Sequence, residues 1–163
     1  MARRRRMDGL VQKLAEQLLR QGKRLALAES CTGGMIAAAC TGLAGSSRWF
    51  DRGFVTYSNA AKIECLDVPA ETLERHGAVS EATVIAMAKG TLEHSDADIA
   101  LSVSGIAGPD GGSEAKPVGT VWFALSDKTG FTNALVEQFT GDRKQVREQA
   151  VQFALKLLIE HTR

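Results

Sequence analysis

Three hydroxyl or thiol side chains in a row, Ser30, Cys31 and Thr32, stand between Glu29 and the pair Gly33-Gly34. The apolar run Leu25-Ala26-Leu27-Ala28 precedes them, and Met35-Ile36-Ala37-Ala38-Ala39 follows. This pattern predicts a buried strand, a glycine turn and a helix start. Candidate nucleophiles then sit where helix N–H groups and the positive end of a helix dipole can face a developing oxyanion. Such a turn is a place for chemistry. Ser30 could equally be a helix N-cap. Local sequence does not choose between Ser30 and Cys31, of which the thiol is intrinsically the more nucleophilic. The hexad is not a G-x-S-x-G elbow, and neither G-x-x-x-x-G-K-[ST] nor G-x-G-x-x-G occurs anywhere in the chain.

A serine hydroxyl needs a base, and none of His76, His94 and His161 falls in a poised segment. Lys62, at the end of Tyr57-Ser58-Asn59-Ala60-Ala61-Lys62, is the better candidate. If Ser58 or Asn59 caps a short helix there, the dipole disfavours an ammonium at Lys62 by about 0.3–1 kcal/mol. Half-neutrality at pH 7 needs a fall from a pKa of about 10.4, worth about 4.6 kcal/mol. Desolvation must therefore supply most of the shift; the bland alternative is a lysine snorkelling at the surface. Tyr57, the only tyrosine, either packs in the core or stacks on an aromatic substrate.

The stretch from Ser104 to Ser113 holds Gly105, Gly108, Gly111 and Gly112 just after a predicted buried strand. Glycine lets backbone N–H groups close on an anion, and ligands of open α/β sheets bind at such strand ends. A plain connecting loop has the same composition. Arg143, Lys144 and Arg147 crowd the start of the last predicted helix, where an anionic ligand would explain them. A solvated basic patch beside Asp142 and Glu148 would also produce that pattern.

The elements that must position these groups can be read from periodicity. Leu10, Val11, Leu14, Leu18 and Leu19 predict a first helix ended by Gly22. Then come a strand over 25–29, a helix over 34–40, a strand around Phe54, Val55 and Tyr57, and a helix over 60–66. Pro69 opens another short helix, broken at Gly77, and Ser80 caps the next. A strand over 99–103 precedes a hairpin of strands 119–126 and 131–139. Asp142 caps a last helix with Val146, Ala150, Phe153, Ala154, Leu157 and Leu158 on one face. Alternating helices and strands with a late hairpin predict an α/β fold, a three-layer α/β/α sandwich around a mixed sheet.

Composition narrows the class further. The 163 residues suit one domain, and 44% hydrophobic with 24% charged residues is ordinary for a globular chain. Arg3 to Arg6 supply four of the 20 basic residues, so the remaining body is mildly acidic against 19 Asp and Glu. That balance makes nucleic acid a poor partner, and the arginine run is expected to be a frayed basic tail. The start of the chain has no signal-peptide pattern, and no run of about 18 apolar residues occurs, so no membrane association is expected. Three cysteines without C-x-x-C spacing predict reduced thiols in the cytoplasm, with neither disulfides nor zinc. The scattered histidines give no reason to expect another metal.

Taken together, these segments resemble the CinA C-terminal domain family, in particular its stand-alone nucleotide amidase members. The resemblance rests on AESCTGG at 28–34, GFVTYSNAAK at 53–62, HGAVS at 76–80, SGIAGPDGGS at 104–113, KPVGTVW at 116–122 and Gly141-Asp142-Arg143. It covers roughly residues 8–163 and leaves a basic tail, 1–7, outside. It implies an α/β/α sandwich that self-associates as a dimer or larger homo-oligomer. The implied reaction is hydrolysis of the carboxamide of nicotinamide mononucleotide to nicotinate mononucleotide and ammonia, in pyridine nucleotide salvage, with no cofactor and no metal. Longer relatives carry a further N-terminal domain, whose activity does not transfer.

By the same resemblance the nucleophile maps to Ser30 and the lysine base to Lys62, with Tyr57 beside them. Backbone N–H groups near Thr32, Gly33 and Gly34 are expected to hold the oxyanion, with Cys31 also at the substrate, and Tyr57 or Asn59 to orient the pyridine carboxamide. Ser104, Gly105, Gly108, Gly111, Gly112 and Arg143 are expected around the ribose and phosphate. The alternative from another class is a nucleotide-binding regulatory module that holds its ligand without turning it over.

Overall fold

Large side chains on one face of the central strands and small ones on the other set the layering of the molecule, whose computed structural model describes residues 1–163. In chain order, α1 (Ala2–Gln21) leads to β1 (Leu25–Glu29), α2 (Met35–Thr41), a 3-10 turn (Ser46–Arg48), β2 (Phe50–Val55) and α3 (Asn59–Leu66). Then follow α4 (Ala70–His76), α5 (Glu81–Glu93), β3 (Ile99–Gly105), β4 (Thr120–Asp127), β5 (Thr132–Gln138) and α6 (Arg143–His161). The strands lie in the order β2-β1-β3-β4-β5. β1 runs parallel to β2 and β3, whereas β4 is antiparallel to both its neighbours. The expected mixed-sheet sandwich is what forms.

Leu27, Leu101, Val103, Val121 and Phe123 point into one core cluster, against Leu14 and Leu18 of α1 and Val151 and Leu155 of α6. The other face carries Ala28, Ala124 and Ser102, whose hydroxyl donates to the Val84 carbonyl at 2.6 Å. With so little side chain between them, α5 lies close on the sheet, and α3 packs in turn on α5. A Cβ at Gly90 of α5 would be driven into the Leu66 carbonyl at the end of α3. Gly90→Ala is therefore expected to lose about 3 kcal/mol to overpacking, despite a helix-propensity gain of about 1 kcal/mol. An unchanged urea midpoint would show that α3 and α5 separate freely.

Two expectations differ from the fold. The arginine run is helical, because α1 starts at Ala2. Val11, Leu14, Ala15 and Leu18 anchor the later turns in the core. From that anchor each further residue adds one hydrogen bond for one residue fixed, and Arg3 pairs with Glu148 of α6 at 2.9 Å. The second strand begins at Phe50, ahead of Phe54, because Leu25 pairs with Phe50 and its N–H reaches the Trp49 carbonyl. Tyr57 lies beyond that strand. No helix is long and apolar enough to cross a membrane.

Candidate active site

The parallel strands β2, β1 and β3 end along one edge of the sheet, where the chain leaves β1 for α2 on one face and enters β3 from α5 on the other. Such a switch point opens a crevice at the strand C-termini. Backbone bonds fix what stands there: Ser30 N–H donates to the Val103 carbonyl at 3.0 Å, and Thr56 N–H to the Glu29 carbonyl at 2.9 Å. Ser30, Cys31, Tyr57, Lys62, Ser104, Gly105 and Arg143 line a cleft of about 250 Å³, with Ala78, Val79 and Ala107 as further wall.

Ser58 caps α3 by accepting from the Ala61 N–H, which sets Lys62 one turn into the helix. The lysine is fully buried. Its Nζ lies 3.1 Å from Ser30 Oγ, 2.7 Å from the Thr56 carbonyl and 3.3 Å from the Tyr57 carbonyl. All three partners are uncharged, so nothing compensates an ammonium for its lost water, and burial pulls the pKa from 10.5 to about 8. A neutral amine has two N–H groups and one lone pair. The two carbonyls take the N–H groups, and the lone pair is left for the Ser30 hydroxyl proton. Cys31 behaves oppositely: burial, the largest cause, pushes its thiol up to about 11, so at neutral pH it is no thiolate.

The turn after Ser30 is held from inside by Glu29. This buried carboxylate accepts from Thr32 Oγ1 at 2.6 Å and from the N–H groups of Ile36 and Ala37 at 2.9 and 3.0 Å. The free N–H groups expected at the α2 N-terminus are thus already occupied, and Gly33 N–H is bonded to the Ser30 carbonyl at 3.0 Å. The N–H groups of Cys31, Thr32 and Gly34 donate to no other backbone group. From outside, Arg147 of α6 donates from Nε to the Cys31 carbonyl at 3.0 Å and from Nη2 to the Thr32 carbonyl at 3.4 Å. A Cβ at Gly33 would stand 3.3 Å from that guanidinium, so glycine both permits its positive φ of 57 and leaves room for the arginine.

Tyr57 is exposed at the mouth, where its hydroxyl accepts from Arg143 Nη2 at 3.1 Å. Arg143 Nη1 donates to the Gly108 carbonyl at 2.8 Å, which ties α6 to the glycine loop. Of the residues singled out by sequence, Ser30, Cys31, Tyr57, Lys62, Ser104, Gly105 and Arg143 converge on the cleft, with Thr32, Gly33 and Gly34 in the turn behind it. Asn59, Gly111 and Gly112 do not line it, and Gly108 reaches it only through Arg143. Asn59 is N1 of α3 and exposed; Gly112 packs against Val118. Sequence reasoning missed Glu29, whose one signal was an acid ending an apolar run. It left Arg147 open between an anionic ligand and a solvated basic patch, whereas the side chain grips the turn.

A family model described as the CinA C-terminal domain matches residues 7–162. A nicotinamide-nucleotide amidohydrolase PncC of Enterobacter agglomerans is 56% identical over 93% of each chain. The protein of that name from Escherichia coli K12 is 54% identical over 91% of this chain and 90% of its own. In structure, the competence/damage inducible protein CihA of Agrobacterium tumefaciens superposes with a TM-score of 0.94 at 42% identity, over 97% of this chain and 96% of the other.

Proposed function

The chain belongs to the CinA C-terminal domain family, and on that premise we propose that it hydrolyses the carboxamide of nicotinamide mononucleotide to nicotinate mononucleotide and ammonia, in pyridine nucleotide salvage. The observation that carries the mechanism is the buried Lys62 amine 3.1 Å from Ser30 Oγ, with only carbonyls as its other partners. Neutral Lys62 takes the hydroxyl proton as Ser30 Oγ attacks the carboxamide carbon. The tetrahedral oxyanion is held by N–H groups of the 31–34 turn that have no other acceptor. Lys62 then gives its proton to the departing ammonia as the C–N bond breaks, leaving an ester on Ser30 that water hydrolyses.

Arg143 at the cleft supplies the cation for an anionic phosphate, and the Tyr57 ring at the mouth offers a face to a pyridine. The proposed amidohydrolase domain spans residues 8–163. Free Cys31, Cys40 and Cys65 support a reducing, cytoplasmic setting, and exposed Val55, Tyr57 and Ile63 support self-association.

The test is ammonia release from nicotinamide mononucleotide by the purified protein, in step with nicotinate mononucleotide. Tight binding with no ammonia would instead favour a regulatory module. The pH profile tests the base. With Lys62 titrating at about 8, roughly a tenth of molecules hold it neutral at pH 7. The value of kcat/KM is expected to rise about tenfold per pH unit below that pKa and to level above it. A profile flat from pH 6 to 9 would exclude Lys62 as the base.

A further inference from the structure

We propose that Arg147 is a positioning residue for the nucleophile turn: by holding the Cys31 and Thr32 carbonyls it fixes the turn that follows Ser30, an assignment that rests on the amide hydrolysis proposed above. Three observations carry it. The first is the plane of the Cys31–Thr32 peptide. Its carbonyl accepts from Arg147 Nε at 3.0 Å, and in a trans peptide the N–H points the opposite way. Arg147 does not line the cleft, while Cys31 and Ser30 do. The Thr32 N–H therefore faces away from the guanidinium.

The second observation is that this N–H is spare. Thr32 is fully buried, and its N–H has no backbone acceptor. A peptide with no acceptor on its N–H side is fixed from its carbonyl side, and there the arginine is what holds it. The third is what the arginine forgoes. Its two partners are both main-chain carbonyls, and neither is a carboxylate. A half-buried guanidinium used in this way polarises the peptides that it binds and makes their N–H groups stronger donors. Glu29 completes the clamp from inside, on Thr32 Oγ1 and the first turn of α2. Arg143, four residues earlier on α6, reaches into the cleft instead.

The test uses the full chain with Arg147→Met and Arg147→Lys, assayed on nicotinamide mononucleotide and by hydrogen exchange of the 31–34 amides. Arg147→Met is expected to lower kcat by about 10²-fold and to change KM less than about threefold. Arg147→Lys, able to hold one carbonyl, is expected to recover about tenfold of that loss, leaving kcat about tenfold below wild type. Exchange at Thr32 is expected to quicken in the Met variant. A raised KM with unchanged kcat would make Arg147 a substrate ligand and overturn the proposal, as would an unchanged kcat with unchanged KM. If the Met variant does not fold, Arg147→Lys decides alone: lower kcat at constant KM supports the proposal, and wild-type values overturn it. If the wild-type chain releases no ammonia, the amide hydrolysis itself fails. Exchange then decides whether Arg147 orders the turn, and equal rates in the two proteins overturn that as well.

Discussion

Ser30→Ala is expected to lower ammonia release from nicotinamide mononucleotide by about 10⁴-fold or more, with binding of the nucleotide retained. The hydroxyl is the only group of the turn both in the cleft and within hydrogen-bond reach of the proposed base, at 3.1 Å from Lys62 Nζ. Its removal leaves the oxyanion donors and Arg143 in place, so residual hydrolysis would come from binding and electrostatics alone. The fold is expected to hold, since one buried hydroxyl is lost and Ser30 keeps its backbone bond to Val103. Cys31→Ala is the paired control. A thiol pushed up to about 11 by burial stays protonated, so that variant should keep most of its activity. Full activity in Ser30→Ala with loss in Cys31→Ala would move the nucleophile by one residue.

Lys62→Met is expected to lower kcat/KM by about 10²–10⁴-fold, the range of a positioned general base, and to leave a distinctive mark on stability. In the folded chain the amine titrates at about 8, against 10.5 when free. Below pH 8 both states bind the proton, and the folded state carries the whole penalty, about 3 kcal/mol. Between pH 8 and 10.5 the unfolded chain binds more protons than the folded one, so wild-type stability rises with pH. Methionine removes that dependence, while leaving the Thr56 and Tyr57 carbonyls without a donor, at about 1–3 kcal/mol each. The two effects oppose at pH 7. The clean readout is the difference curve: relative to wild type, Lys62→Met should lose about 3 kcal/mol as pH climbs through that window. Parallel unfolding curves would mean that Lys62 is not held out of water.

Much of this site was legible along the chain, because it is built from local pieces. Leu25 to Ala28 could only be a buried strand, the glycine pair forced a turn, and Ser58 announced the helix that carries Lys62. The hairpin was equally clear, since the Asp127 carboxylate and Gly130 make the turn from neighbouring residues. What sequence did not reveal depends on packing between distant segments. Which carbonyls Arg147 reaches is decided by where α6 settles, 115 residues downstream of the turn it grips. Glu29 occupies the α2 N–H groups because its strand ends one residue before the turn, a register that no composition records. Asn59, Gly111 and Gly112 were singled out by motif continuity, and they do not line the cleft: Asn59 opens α3 facing solvent, and Gly112 packs against Val118.

The amine of Lys62 has no counter-ion, and this separates two kinds of sensitivity to the medium. Dissolved electrolyte weakens forces between charges across water over about 10 Å at 0.1 M, but it does little to a proton affinity set by exclusion from water. Added salt should therefore loosen the proposed grip of Arg143 on a phosphorylated ligand and leave the titration of Lys62 where it was. Capture would follow ionic strength, and bond cleavage would not.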